Sequence, residues 1–262
     1  MKFLITNADD FGYTRDVNDG IIHAHRQGIL TATTLMATGP EFDHAVTLAR
    51  ENRSLDVGVH LVLVDGNGFP PTLAKFMGQA ALGRIRIYDE LVAQVRKVQS
   101  AGIQPTHLDT HKHTHLFPPV LRAVARISSE FRIPWVRRPF DFPFHGSGIT
   151  LQRRAVTKAL GFARAGFHRV LSRYGCRTTD HFAGFLLTGH YDAAELARLI
   201  RHLPEGVTEF MCHPGFCTPE LQAANTRLKE SRRRELDALT SRQVREALEE
   251  SNVTLARYPE IR

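Results

Sequence analysis

Two adjacent aspartates, Asp9 and Asp10, close the apolar run FLITNADDFG, and histidines collect at three later points: His60 after VGV, the stretch PTHLDTHKHTHLFPP, and His213 in EFMCHPG. Fourteen histidines in 262 residues are unevenly spread. A catalytic divalent ion such as zinc commonly takes two imidazoles and one carboxylate and keeps a position open for water. Asp10, His60 and His111 supply that set. A second carboxylate beside the water can remove its proton, since the metal acidifies the water and keeps the acid ionised, and Asp9 is placed for it. A protonatable imidazole is needed opposite the base, and His213 is the candidate. The structural alternatives are an Asx turn at Asp9–Asp10, a solvated histidine loop and a turn at His213-Pro214-Gly215. Joint occurrence at separate strand ends favours chemistry.

His107, Asp109, His111, His113 and His115 share one parity, so an extended chain would point all five the same way. They cannot share one ion: at ~3.3 Å per residue they span ~26 Å, against a metal–nitrogen bond of ~2 Å. A break near Thr110-His111, with Pro118-Pro119 opening the next helix, puts His111 at the strand tip. His113 and His115 then fall in the following loop and His107 deeper in the strand. Arg137 and Arg138, ahead of Pro139, read equally as surface charges or as a bidentate hold on a carboxylate.

These groups meet only if the fold brings strand ends together. Apolar or β-branched runs at Phe3–Thr6, Thr31–Ala37, Val57–Leu63, Thr106–Thr110, Trp135–Arg137, Phe182–Leu187, Thr208–Cys212 and Val253–Ala256 read as strands. Helical periodicity falls on Val17–Gln27, Phe42–Glu51, Glu90–Ala101, Pro118–Glu130, Leu151–Tyr174, Ala193–His202, Ser231–Leu239 and Ser241–Glu250. Asp192 and Thr240-Ser241 are N-cap signals, and Gly28 and Gly102 are C-terminal stops. The alternation predicts one α/β domain over residues 1–262, an irregular (β/α) TIM-like barrel whose strands converge at their C-terminal ends. Two long loops, Asp65–Tyr88 and Pro139–Thr150, would lie over that face.

Composition narrows the class. A 42% hydrophobic content suits a sizeable core, and no run approaches the ~20 apolar residues that span a bilayer. We read the chain as cytoplasmic, with Cys176, Cys212 and Cys217 as free thiols. The net charge of +7 invites an anionic partner, but the basic residues are dispersed. Arg232-Arg233-Arg234, with Glu230 and Glu235 nearby, reads as a solvated helix face, so no nucleic acid is expected. Trp135, Phe140, Phe142 and Phe144 read as core.

The motifs NADDFG, GVHLVL, PTHLDTHKHTH, VRRP and EFMCHPG, followed by RRRELDALTSRQVREAL, resemble in order the YdjC-like carbohydrate deacetylases across nearly the whole chain. The resemblance implies a barrel related to polysaccharide deacetylases and a divalent metal, zinc or magnesium foremost, on Asp10, His60 and His111. It implies Asp9 as base, Arg137 orienting it, and His213 as the later histidine; in our reading of the mechanism His213, or failing that His115, protonates the departing amine. The implied substrate is an N-acetylated sugar or a glycolipid. The HKHTH run and the basic, aromatic loops look closer to the hopanoid-associated branch than to the chitooligosaccharide enzymes. Peripheral membrane contact and a homodimer are compatible with this reading. Its rivals are a two-metal phosphoesterase and a non-catalytic binder of nucleic acid or anionic lipid.

Overall fold

The computed structural model describes residues 1–66, 68–144 and 161–261. Eight strands occur where the runs predict them: β1 (Lys2–Phe11), β2 (Ala32–Leu35), β3 (Asp56–Leu61), β4 (His107–Thr110), β5 (Trp135–Val136), β6 (His181–Ala183), β7 (Gly206–Cys212) and β8 (Val253–Leu255). All ladders are parallel, in the order β5-β4-β3-β2-β1-β7-β6, with β8 added to β1. A single bridge between Asp141 and Phe182 links the chain beyond β5 to β6, so the sheet curls toward an irregular barrel. β1 is buried from Leu4 to Phe11, as a central parallel strand covered on both faces must be.

Helices pack outside the sheet: α1 (Arg15–Gln27), α2 (Phe42–Glu51), α3 (Leu73–Ala81), α4 (Ile87–Ser100), α5 (Pro118–Glu130), α6 (Arg164–Arg173), α7 (Ala193–Arg201), α8 (Pro219–Ala223), α9 (Glu230–Thr240) and α10 (Arg242–Glu250). The expected caps form: Asp192 accepts from Glu195 N at 2.9 Å, and Ser241 accepts from Val244 N at 3.2 Å. Pro118 opens α5, where its missing N–H costs nothing. Of the helix expected over Leu151–Tyr174, residues 151–160 lie outside the described residues, as does 145–150 of the second long loop. The first long loop is not irregular throughout: it contains α3, capped by Thr72, with only Phe76 buried. Cys176, Cys212 and Cys217 form no disulfide, and no described helix is long and apolar enough to cross a membrane.

Candidate functional site

The aspartate pair sits on a β-bulge. β1 pairs with β2 as Ala8 with Thr33 and then Phe11 with Leu35, so three steps on one strand face two on the other. Asp10 takes the left-handed conformation, φ 68°, which breaks the alternation that would send Asp9 and Asp10 to opposite faces. Gly12, at φ +99°, completes the turn, and Asn18 Oδ1 accepts from its N–H at 2.6 Å. Both carboxylates consequently line one cavity of about 870 Å³, with His60, His111 and His213.

Asp10, His60 and His111 converge. Asp10 Oδ1 lies 3.4 Å from His60 Nε2 and 3.3 Å from His111 Nδ1, and the two nitrogens are 3.2 Å apart. Donors at ~2.1 Å from a tetrahedral ion are ~3.4 Å from each other, so this triangle fits one divalent cation. His60 comes from β3 directly opposite Asp109 of β4, whose Oδ1 is 2.7 Å from Nδ1. That contact fixes the ring and turns Nε2 to the cavity. Burial opposes the imidazolium, but the Asp109 charge and the hydrogen bond to Asp10 raise the His60 pKa to about 10.

Asp9 stands beside the triangle, one of its oxygens within 4.8 Å of a His60 nitrogen. Arg137, just beyond β5, grips it with two bonds, Nη2 to Oδ1 at 2.6 Å and Nη1 to Oδ2 at 2.7 Å. The same guanidinium contacts Asp109 Oδ2 at 2.5 Å and donates through Nε to Glu209 Oε1 at 2.6 Å. Of the two readings of Arg137, the carboxylate hold is the one realised. Burial alone would raise the Asp9 pKa, yet Arg137, joined by His60 and His213, outweighs it and holds the carboxyl well below the usual range. Arg138 is also buried and donates to the Asp180 carbonyl.

His213 directly follows β7, which pairs with β1 up to Ala8–Cys212, so it faces the bulge. Its Nε2 is 3.9 Å from Asp9 Oδ2, and its Nδ1 has no hydrogen-bond partner among the described residues. Burial lowers its pKa, with Asp9 the largest opposing charge. Glu235 of α9 accepts from the His213 N–H at 2.6 Å and from Gly189 N at 2.8 Å, so it pins the turn.

Two sequence expectations need correction. His115 does not reach the cavity: its Nε2 is 3.1 Å from the Arg137 carbonyl and its Nδ1 2.5 Å from Thr110 Oγ1, with no exposed surface. Burial drives its pKa down to about 3, so it is no proton donor. The cause is the turn after β4, where Lys112 and His113 adopt positive φ and send the chain inward. Arg232 and Glu235, read as solvated, are each 1% exposed, and Arg232 Nη2 donates to Asp10 Oδ2 at 2.5 Å. Only Arg233 and Arg234 of that run face solvent. The sequence alone assigns no role to Asp109 or Glu209, although Asp109 shares the parity of His111 in the motif.

The comparisons with known proteins give the family. A family model described as YdjC-like protein matches residues 3–250. The chain belongs to the YdjC-like family. Among its relatives is a carbohydrate deacetylase of Brevibacillus brevis, 31% identical over 98% of this chain and 99% of that protein. Another, of Clostridium beijerinckii, is 32% identical with the same coverage, 98% and 99%. An Enterococcus faecalis structure described as a cellobiose-phosphate cleavage protein is 28% identical, with a TM-score of 0.77 and 98% coverage of both chains. A lactam utilization protein of Thermus thermophilus, 17% identical at a TM-score of 0.53, shares the fold of this YdjC-like chain alone.

Proposed function

We propose that this chain is a carbohydrate deacetylase, a metal-dependent hydrolase that removes N-acetyl groups from an N-acetylglucosamine-containing sugar or glycolipid and releases acetate. The observation that carries the reading is the Asp10–His60–His111 triangle of 3.2–3.4 Å with Asp9 clamped beside it and outside it. The names of its full-length relatives support the sugar as substrate.

Asp10, His60 and His111 would hold a divalent cation, zinc or magnesium, which when bound supplies Lewis acidity toward the acetamide carbonyl and toward water. Asp9, kept ionised by Arg137, takes the proton of the attacking water on a carboxylate oxygen. Arg137 prevents Asp9 from turning toward the cation, because both of its oxygens are engaged by the guanidinium. His213 Nε2, 3.9 Å from Asp9 Oδ2, delivers a proton to the departing nitrogen. Burial disfavours the protonated ring, and the Asp9 charge beside it favours the proton. The products are acetate and an amino sugar.

The two-metal phosphoesterase is disfavoured by a specific contact. A second cluster, Asp9, His60 and Asp109, has metal-like spacing, but the Arg137 guanidinium already occupies it, contacting Asp9 and Asp109 at 2.5–2.7 Å. Acetate release from an N-acetylglucosaminyl hopanoid and from a soluble chitin dimer, each with and without a chelator, tests the reading. Chelator-sensitive acetate release from either supports it; phosphate release from an ester without acetate release contradicts it. Asp9→Asn should lower turnover ~10²–10⁴-fold, the range of a general base, while cation affinity is retained.

A further inference from the structure

Arg232 is delivered to the site from α9, 222 positions along the chain from the carboxylate it contacts. Its side chain is 2% exposed, and Nη2 holds Asp10 Oδ2 at 2.5 Å while Asp10 Oδ1 faces the two imidazoles. The rest of the residue is held too: Nε donates to the Leu228 carbonyl at 3.3 Å, and the backbone carbonyl of Arg232 accepts from Gly215 N at 3.2 Å. Nη1 is buried with no hydrogen-bond partner among the described residues. A permanent cation thus sits on an oxygen of a group whose other oxygen belongs to the ligand triangle. Asp109 behind His60 is the opposite arrangement, a negative charge supporting a ligand.

We propose that Arg232 is a positioning residue that restricts Asp10 to a single ligating oxygen and competes with the bound cation for that carboxylate's charge. The inference rests on the assignment of Asp10, His60 and His111 as ligands. Losing an outer partner normally weakens metal binding ~10–100-fold, and that is the expectation for Asp109. Arg232 carries the reverse sign. Its loss relieves the repulsion between two positive centres a few ångströms apart and frees the second Asp10 oxygen. Without metal, its loss strands a buried carboxylate and weakens the fold. Arg232 therefore makes the site bind its cation less tightly while keeping the Asp10 carboxylate aimed before the cation arrives.

The test is a competitive calorimetric titration of metal-free protein with zinc for the wild type, Arg232→Gln, Arg232→Lys and Asp109→Asn, with melting temperatures of metal-free and zinc-loaded forms. Arg232→Gln is expected to bind zinc at least ~10-fold tighter, melt lower without metal and show a larger zinc-induced rise. Arg232→Lys keeps the charge, so its affinity stays within about threefold of wild type even if the Gln variant does not fold. Asp109→Asn binds ~10–100-fold weaker. Unchanged or weaker binding by Arg232→Gln, or a Lys variant more than ~10-fold weaker, makes Arg232 a mere strut and overturns the inference. A wild type that binds no zinc overturns the ligand assignment and the inference with it, and that arm tells the two failures apart.

Discussion

The site depends on charges that are individually costly to bury. Arg137 faces Asp9, Asp109 and Glu209, all at most 3% exposed, and His60 lies between Asp10 and Asp109. Such a cluster is tolerable only when every charge has an opposite neighbour in hydrogen-bonding geometry. His60 gives this a pH signature. Its folded pKa of about 10 exceeds the 6.5 of the free side chain, so its ion pairs stabilise the metal-free protein fully below pH ~6.5 and progressively less as pH rises through ~10. Cation binding needs the neutral ring and releases that proton, so apparent zinc affinity should rise across the same window. Denaturant unfolding of the metal-free wild type between pH 7 and 10 should lose stability faster than His60→Gln; equal slopes would remove the His60 assignment. The residue types of this site were legible: Asp9, Asp10, His60, His111 and His213 stand out because few structural needs place acids and imidazoles at strand ends. Asp109 was harder to read, since its role comes from facing His60 across a ladder whose register is a tertiary property.

At the scale of elements, the strands were legible because β-branched, apolar runs have few other solutions, whereas the short helices α3 and α8 were not. α3 follows a stretch of Gly and Pro and buries one side chain, and α8 has five residues, so neither leaves a clear period. α9 misleads for a different reason. Its buried face carries Arg232 and Glu235 with Leu236 and Leu239, and a hydropathy pattern assigns such charges to water. The charges face inward because their partners, Asp10 and the His213 turn, come from β1 and the loop after β7. The approach of α1 to that same loop yields a prediction. A Cβ on Gly20 would stand 2.5 Å from Gly215 Cα, backbone that cannot swing aside. Gly20→Ala should cost about 1–3 kcal/mol and reduce activity by displacing His213. Gly78→Ala in α3 meets nothing within 4 Å and should be neutral or stabilising by up to ~1 kcal/mol. Melting curves compare them, and equal stabilities would contradict the packing argument.

For the whole molecule, the curled parallel sheet turns sequence separations of tens to hundreds of residues into contacts at one face. β1 lies between β2 and β7, so the bulge at Asp9–Asp10 has His213 at the end of the adjacent strand on one side and His60 on β3, one strand beyond β2, on the other. This convergence was legible from the alternation of strands and helices, but the degree of closure was not, because it rests on single bridges such as Asp141–Phe182. A cation tying β1, β3 and the end of β4 together binds the folded state alone, adding about 2.7 kcal/mol at 100 times its dissociation constant. At this chain length that corresponds to a rise of roughly 5–10 °C in melting temperature, reversed by chelator. An unmoved transition would speak against a cation at the junction of these strands.

The most direct measurement is anomalous diffraction at the zinc edge from crystals grown with zinc. The account predicts one peak at ~2.0–2.2 Å from Asp10 Oδ1, His60 Nε2 and His111 Nδ1, with Asp9 unliganded and still held by Arg137. A peak bonded to Asp9, a second peak between Asp9 and Asp109, or none at the triangle would contradict it.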